Sequence, residues 1–243
     1  MQKAHAAWAT AAALRCFERA RRVVLAFSDY AMTVARKDIR LVFPTPVFRF
    51  DLEAATAEAI DAAFLAALGE SIDLAAVPEH GLYQTQTDLH LSPRFERFRE
   101  AAMNAVRSAS IACGWQDADY AMTGLWLNAS GRRVAHRSHF HPNNIFSGVY
   151  YVRVAEGGDQ ITFEDPRPQA PMTRIPGKAG TFMYDSYAER VRNGALVLFP
   201  SWLRHYVPVN DSAIVRISAA FNFMVRGFAE RHAAPEWNGN IRI

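Results

Sequence analysis

His139-Phe140-His141-Pro142-Asn143-Asn144-Ile145-Phe146-Ser147-Gly148-Val149-Tyr150-Tyr151-Val152 is the stretch on which the reading of this chain turns. It places two histidines two residues apart. On a strand, residues two apart point to the same side. His139 and His141 can therefore aim two imidazoles at one point, with Phe140 packed on the opposite face. Pro142-Asn143-Asn144 supplies a turn. Phe146–Val154 is then a run of aromatic and branched residues suited to a buried strand. Paired histidines at the mouth of such a strand suit a metal ion, because imidazole is the commonest protein metal ligand. Histidines in a polar surface loop are the plainer alternative.

The same texture extends outward from that stretch. From Gly114 onward come the short runs Tyr120–Asn128, Gln160–Glu164, Thr181–Tyr184, Gly194–Phe199, His205–Val207 and Ala213–Met224. Gly, Pro, Asn and Asp separate them, which predicts an all-β sandwich or barrel. No strand–helix alternation, phosphate-cradling glycine loop or internal repeat is present. Upstream the pattern differs. Glu53–Ala67 has apolar positions at helical spacing and ends near Gly69. Ser92-Pro93 opens a second helix, with Ser92 as N-cap and proline at the first helical position. That helix should run through Phe95, Phe98, Ala102, Val106 and Ile111 and stop before Gly114. Two apolar runs, 39–43 and 47–50, flank Pro44 and Pro46 and fit edge strands, where a proline costs no ladder bond. The expected architecture is mainly β with α, a jelly roll with N-terminal helices packed on it.

Composition bounds the rest. The chain has 243 residues, of which half are hydrophobic, enough for a full core. One domain over 39–243 is preferred to two, since a β-sandwich or barrel commonly uses a chain of this length. Residues 1–38 read as a helical extension, Ala-rich and dotted with arginine over 6–30, which the fold can do without. The net charge is +3, and the first forty residues hold eight Lys and Arg against three acids. The rest is slightly acidic and shows no basic stripe interleaved with aromatics, so a nucleic-acid partner is not expected. No apolar run reaches the ~18 residues of a membrane span. Cys16 and Cys113 are too few and too distant for a disulfide framework, and reduced thiols in a cytoplasmic protein are expected. A small molecule is the expected partner. Sheet edges and the N-terminal helix leave a homodimer open.

The second half of the chain adds to the histidine pair. A buried strand, Gly194–Phe199, leads through Pro200-Ser201-Trp202-Leu203-Arg204 to His205. Eleven residues on, Arg216 and Ser218 share a strand face by period two. A strand arginine with a hydroxyl beside it, in an apolar run, calls for a bound carboxylate or a salt bridge to a nearby acid. A guanidinium takes a carboxylate through two parallel hydrogen bonds, and the serine can add a third. Asn128 ends a strand just before the histidine cluster, where it lines a pocket or starts the Ser130-Gly131 turn. Asn222 shares the parity of Arg216 and Ser218. His136 reads as a supporting residue, and Trp202 as packing under its turn.

Taken together, His139-Phe140-His141-Pro-Asn-Asn-Ile-Phe-Ser-Gly-Val-Tyr-Tyr-Val, Leu198-Phe-Pro-Ser-Trp-Leu-Arg-His205 and Arg216-Ile-Ser218 resemble the iron(II)/2-oxoglutarate-dependent oxygenase superfamily. The likeness is closest to a bacterial family of such oxygenases with largely undefined substrates, and it spans roughly residues 39–226. It implies a double-stranded β-helix with iron(II) at one open end and 2-oxoglutarate and dioxygen as cosubstrates. It implies that Arg216 and Ser218 hold the far carboxylate of 2-oxoglutarate. By similarity to prolyl hydroxylases, Tyr151 touches the cosubstrate and Tyr150 faces away. The implied activity is hydroxylation of a C–H bond in a small or amino-acid-like molecule, with release of succinate and CO2.

The sequence departs from the superfamily at one place. Its usual first pair is His-x-Asp or His-x-Glu, and here the second member is His141. Three arrangements stay open: a His139, His141 and His205 site, which is preferred; Asp165 of Phe163-Glu164-Asp165-Pro166 as the missing carboxylate; or two protein ligands with water. A cupin-type three-histidine dioxygenase or isomerase without 2-oxoglutarate, and a non-catalytic jelly-roll binding module, are the competing functions. Loops Glu156–Asp159 and Arg167–Gly180 are expected to rim the site.

Overall fold

The computed structural model describes residues 42–115, 118–169, 172 and 185–228. The chain clusters into two units, and Val47–Val106 with Ala118–Ile243 forms the larger. The candidate site and the packing described below lie in that larger unit. Residues 42–46 and 107–115 fall outside it, including the free thiol of Cys113. The helix expected over 6–30, the strand expected over Thr181–Tyr184 and most of the loop Arg167–Gly180 lie outside the described residues.

Ten strands and two α-helices are described. The strands are β1 Phe48–Asp51, β2 Leu82–Gln84, β3 Tyr120–Ser130, β4 His136–His139, β5 Phe146–Arg153, β6 Gln160–Glu164, β7 Ser186–Arg190, β8 Ala195–Pro200, β9 His205–Val207 and β10 Arg216–Val225. The helices are α1 Ala54–Gly69 and α2 Glu96–Ala112. All named strand pairs are antiparallel. They form a six-stranded sheet, β1-β8-β5-β10-β3-β2, and a four-stranded sheet, β4-β9-β6-β7. This is the jelly-roll arrangement, with two sheets and no closed barrel. None of the described helices is long and apolar enough to cross a membrane.

The six-stranded sheet carries packed side chains on both faces. On its outer face, Phe221 and Tyr150 meet Phe98 of α2, with ring centroids 5.4 and 5.8 Å apart, and Phe64 of α1 stacks 5.0 Å from Phe98. Tyr150 donates its hydroxyl to Asp61 of α1 at 2.9 Å. Gly148 makes room there: a Cβ at that position would lie 2.2 Å from the Phe221 ring. On the inner face, Tyr151, Val197 and Phe199 pack with Ile161 and Phe163 of the smaller sheet and with Leu203. The alternation of strand side chains thus sorts one tyrosine to each layer.

Several local expectations need correction. Ser92 does accept a hydrogen bond from Arg94 N, but the first turn, Pro93–Phe95, is a tighter 3-10 turn before α2 begins. Val42 and Phe43, expected in an edge strand, are exposed and lie in no strand; residues 39–41 are not described. Trp202 is 55% exposed, and its neighbour Leu203 fills the core instead. Phe140 is 44% exposed, with the Arg204 guanidinium 5.2 Å over its ring. β7 was not foreseen, because Ser186–Arg190 mixes charges with one aromatic and has a partly exposed, alternating face.

Candidate metal and carboxylate site

The smaller sheet brings the histidines together. In the β4–β9 ladder His139 lies directly opposite His205. His141 stands two residues past the end of β4, where its backbone N–H bonds Ser201 O at 2.9 Å. The turn after it is held by Asn143 in the left-handed region, φ 61°, a conformation asparagine tolerates. Asn144 fixes the turn further, donating to Pro142 O and accepting from Thr123 Oγ1. The result is a trio whose potential ligand atoms all lie within 4.8 Å of one another. Ring centroids are 4.4 Å apart for His139–His205, 5.0 Å for His139–His141 and 5.3 Å for His141–His205.

Two of these rings have a defined tautomer. His139 Nδ1 lies 2.7 Å from Arg137 O, and His205 Nδ1 lies 3.0 Å from Leu203 O. A carbonyl only accepts, so each Nδ1 carries the hydrogen and each Nε2 keeps its lone pair for a metal. Burial pushes His205 down to about 3 and His141 to about 4, so both are neutral at physiological pH. A neutral imidazole is the form that binds metal.

Asp165 does not join them. Its two carboxylate oxygens are taken by Arg167, at 2.9 and 2.5 Å, and this pairing holds its pKa below the usual range. Among the described residues, the histidine trio is the one cluster of at least three potential metal ligands.

The neighbouring inner face of the larger sheet carries the other half. Arg216 is 3% exposed, and burial lowers its pKa. The group that favours its charge is the Tyr151 phenol, and among the described residues no acid does so. Ser218 pairs in register with Asn128 of β3 on one side and Tyr151 of β5 on the other, and all three are buried. Asn128 lies inside β3, opposite Ser218, and does not start a turn. The Tyr151 hydroxyl is buried without a hydrogen-bond partner. A guanidinium without an acid and a phenol without an acceptor, both buried, are costly unless an anion completes them. His136 supports this end, its Nε2 3.3 Å from Ser130 Oγ, with Ser130 opposite Arg216. Burial and the nearby guanidinium hold His136 near 4.

Sequence reasoning noted Asn222 but passed over its partners Ser147 and Ser201 and the neighbouring Trp126. Ser147 donates to Asn222 Oδ1 at 2.7 Å and lies 2.8 Å from Ser201 Oγ. Trp126 sits with its ring 5.9 Å from His141. Their parity with Asn128 and Tyr151 was the available signal. The expected rim loop Glu156–Asp159 packs its glycines against Asn210–Ser212.

Comparisons with known proteins agree with this geometry. Residues 124–222 match the family model described as "Putative 2OG-Fe(II) oxygenase". Among curated proteins no sequence matches. Three solved structures illustrate the shared fold. A 2OG-Fe(II) oxygenase family oxidoreductase from Burkholderia pseudomallei is 16% identical, with TM-score 0.52, over 73% of this chain and 84% of that one. The non-heme alpha ketoglutarate dependent epimerase SnoN from nogalamycin biosynthesis is 13% identical, with TM-score 0.55, over 74% and 79%. A Pseudomonas putida prolyl-4-hydroxylase is 19% identical, with TM-score 0.50, over 75% and 94%. Residues 124–222 thus carry the signature of the 2OG-Fe(II) oxygenase family, on the fold that these oxygenases share.

Proposed function

We propose that this chain is an iron(II)- and 2-oxoglutarate-dependent dioxygenase that hydroxylates a C–H bond of a small molecule. The observation that carries the reading is the pairing of two half-sites. Three imidazoles converge on one face, and on the adjoining face a buried arginine has no acid beside it among the described residues, next to a buried phenol that lacks an acceptor. The donor set fits the metal, and the two orphaned groups fit a carboxylate. His139, His141 and His205 would hold iron. Arg216, Ser218 and Tyr151 would hold the distal carboxylate of 2-oxoglutarate, and Asn128 would donate or accept beside them.

Bound there, iron(II) supplies the oxidising chemistry: 2-oxoglutarate, dioxygen and substrate R–H become succinate, CO2 and R–OH. The protein's own part is placement. Arg216 would fix the distal carboxylate of the dicarboxylate through its guanidinium. The backbone carbonyls of Arg137 and Leu203 hold two imidazoles in their binding tautomer. Phe163 and Phe199 wall off the His205 ring, 6.2 and 4.6 Å away, and keep water from it. We place the oxygenase domain at 39–243 and give residues 1–38 no part in the reaction.

The competing reading is a three-histidine dioxygenase that needs no keto-acid, favoured by the absence of a carboxylate from the trio. The two separate in one experiment. Oxygen uptake and succinate are measured on anaerobically iron-loaded protein with and without 2-oxoglutarate. The reading requires succinate formation that depends on 2-oxoglutarate and disappears in His205→Ala. Oxygen uptake unaffected by omitting 2-oxoglutarate overturns it.

A further inference from the structure

Over the middle of β5, β10 and β3, the inner face of the larger sheet has one partly exposed row between two buried ones. Val149 of β5 pairs with Ala220 of β10, and Ala220 pairs with Trp126 of β3. All three are partly exposed. The rows on either side are buried: Tyr151, Ser218 and Asn128 on one flank, and Ser147, Asn222 and Gly124 on the other. An alanine in the middle of a six-stranded sheet is exposed only where something is missing above it. A trough therefore runs over β5, β10 and β3, closed at the β8 side by buried Val197. Its floor is apolar, and it ends at an indole next to the imidazole of His141.

The banks differ. One is the carboxylate-binding row described above. On the other, Asn222 is nearly buried, and its Oδ1 is occupied by Ser147. No hydrogen bond among the described residues uses its Nδ2, which leaves an amide donor on that bank. Opposite Asn222, Gly124 has no side chain; a Cβ there would meet only the Trp126 ring, at 3.6 Å, and Thr87 O, at 3.6 Å. The row itself contains no charged residue.

We propose that this trough is the seat of the oxidised substrate, and that it selects a neutral molecule with a planar apolar part bearing a carbonyl-type acceptor. The planar part lies against Trp126 over Ala220, and the acceptor takes the hydrogen of Asn222 Nδ2. An aromatic face stacked on indole and a single positioned amide give orientation without charge. A carboxylate-bearing substrate is directed away, because the cation that would bind it, Arg216, lies four residues along β10 from Ala220, beyond the Ser218 row. The inference rests on the proposed reading of the site, since the trough matters as a substrate seat only if the histidine trio is the reacting centre.

The test uses metal-free protein and benzamide as probe, with binding read by saturation-transfer NMR. Benzamide should bind the wild type and Arg216→Met alike. Ala220→Phe, which fills the trough, should reduce the transfer at least five-fold, and Trp126→Leu should reduce it as well. Trp126→Leu is an apolar exchange at a partly exposed position, so it reports even if the larger phenylalanine unfolds the chain. Absence of benzamide binding to the wild type, or binding unchanged in Trp126→Leu, overturns the proposal. So does stronger binding of benzoate that Arg216→Met abolishes, which would make the trough part of the dicarboxylate seat. Because no metal is present, this outcome is independent of whether the loaded protein forms succinate from 2-oxoglutarate.

Discussion

The two faces of strands β3, β10 and β5 are built from alternate residues of the same segments, yet they obey opposite rules. The outer face reads Ile217, Ala219, Phe221 and Phe223 on β10, with Tyr150 beside them, and its one polar tip finds Asp61. The inner face reads Arg216, Ser218, Ala220 and Asn222, with Tyr151, Ser147 and Asn128 around them. One face has its hydrogen bonds satisfied within the protein. The other retains a buried cation and a buried phenol that the protein leaves uncompleted. Natural sequences break local consistency at functional positions and compensate elsewhere. Here the compensation lies one residue away along the chain, on the opposite side of the sheet.

The contrast can be broken from either side. Phe98→Ala on the outer face removes a ring that touches Phe64, Tyr150 and Phe221. It should cost about 3–5 kcal/mol, seen as a lowered denaturation midpoint, with 2-oxoglutarate affinity of the folded fraction unchanged. On the metal side, His205→Ala should abolish bound metal and lower turnover by more than ~100-fold, beyond the ~10–100-fold that losing a supporting partner costs at metal sites. Metal analysis of the purified protein checks it directly. Arg216→Met should weaken 2-oxoglutarate binding by ~10–100-fold, the worth of a charge-assisted hydrogen bond. The same exchange should raise the melting temperature of the empty protein, because an unpartnered buried charge becomes an apolar side chain of similar length. An outer-face substitution that gave this opposed pair of effects would collapse the distinction.

A smaller effect sharpens the comparison through pH. Burial holds His205 near 3 against an ordinary 6.5. The unfolded chain therefore takes up the proton first as pH falls. Stability of the metal-free protein is full above about pH 6.5 and is lost toward pH 3, with a slope of at most ~1.4 kcal/mol per pH unit from this group. Denaturant midpoints between pH 7 and 4 measure it, and His205→Gln should flatten the profile. Smallest of all, Trp202→Ala should change stability by less than about 0.5 kcal/mol, since the indole is largely in solvent.

What could be read from the sequence followed from period two. The strand positions of His205, Arg216 and Ser218 were legible because they sit inside or at the edge of strands whose apolar alternation is unambiguous. The inward place of Tyr151 came from the resemblance to prolyl hydroxylases, and alternation then turned Tyr150 outward. His141 was harder. β4 ends at His139, so strand alternation no longer governs His141, and its position depends on Ser201 O and on a left-handed Asn143. Asp165 looked available because sequence does not show that Arg167 closes on it two residues later. Trp202 was misjudged because burial in a turn alternates without a fixed period, and there it fell to Leu203. The trough was invisible because a partly exposed Ala220 differs from a buried alanine only in what lies above it.

The carbonyls of Arg137 and Leu203 each sit two residues before the histidine they orient. Each strand thereby sets the tautomer of its own ligand, before any ion arrives. A trio prepared in this way and made only of neutral nitrogen donors has no anionic ligand with which to favour a harder ion. Affinity among first-row divalent ions should then climb from iron through nickel to copper. Occupancy would follow whichever ion the surroundings supply, and protein purified in air over a nickel column should carry nickel until it is stripped and reloaded.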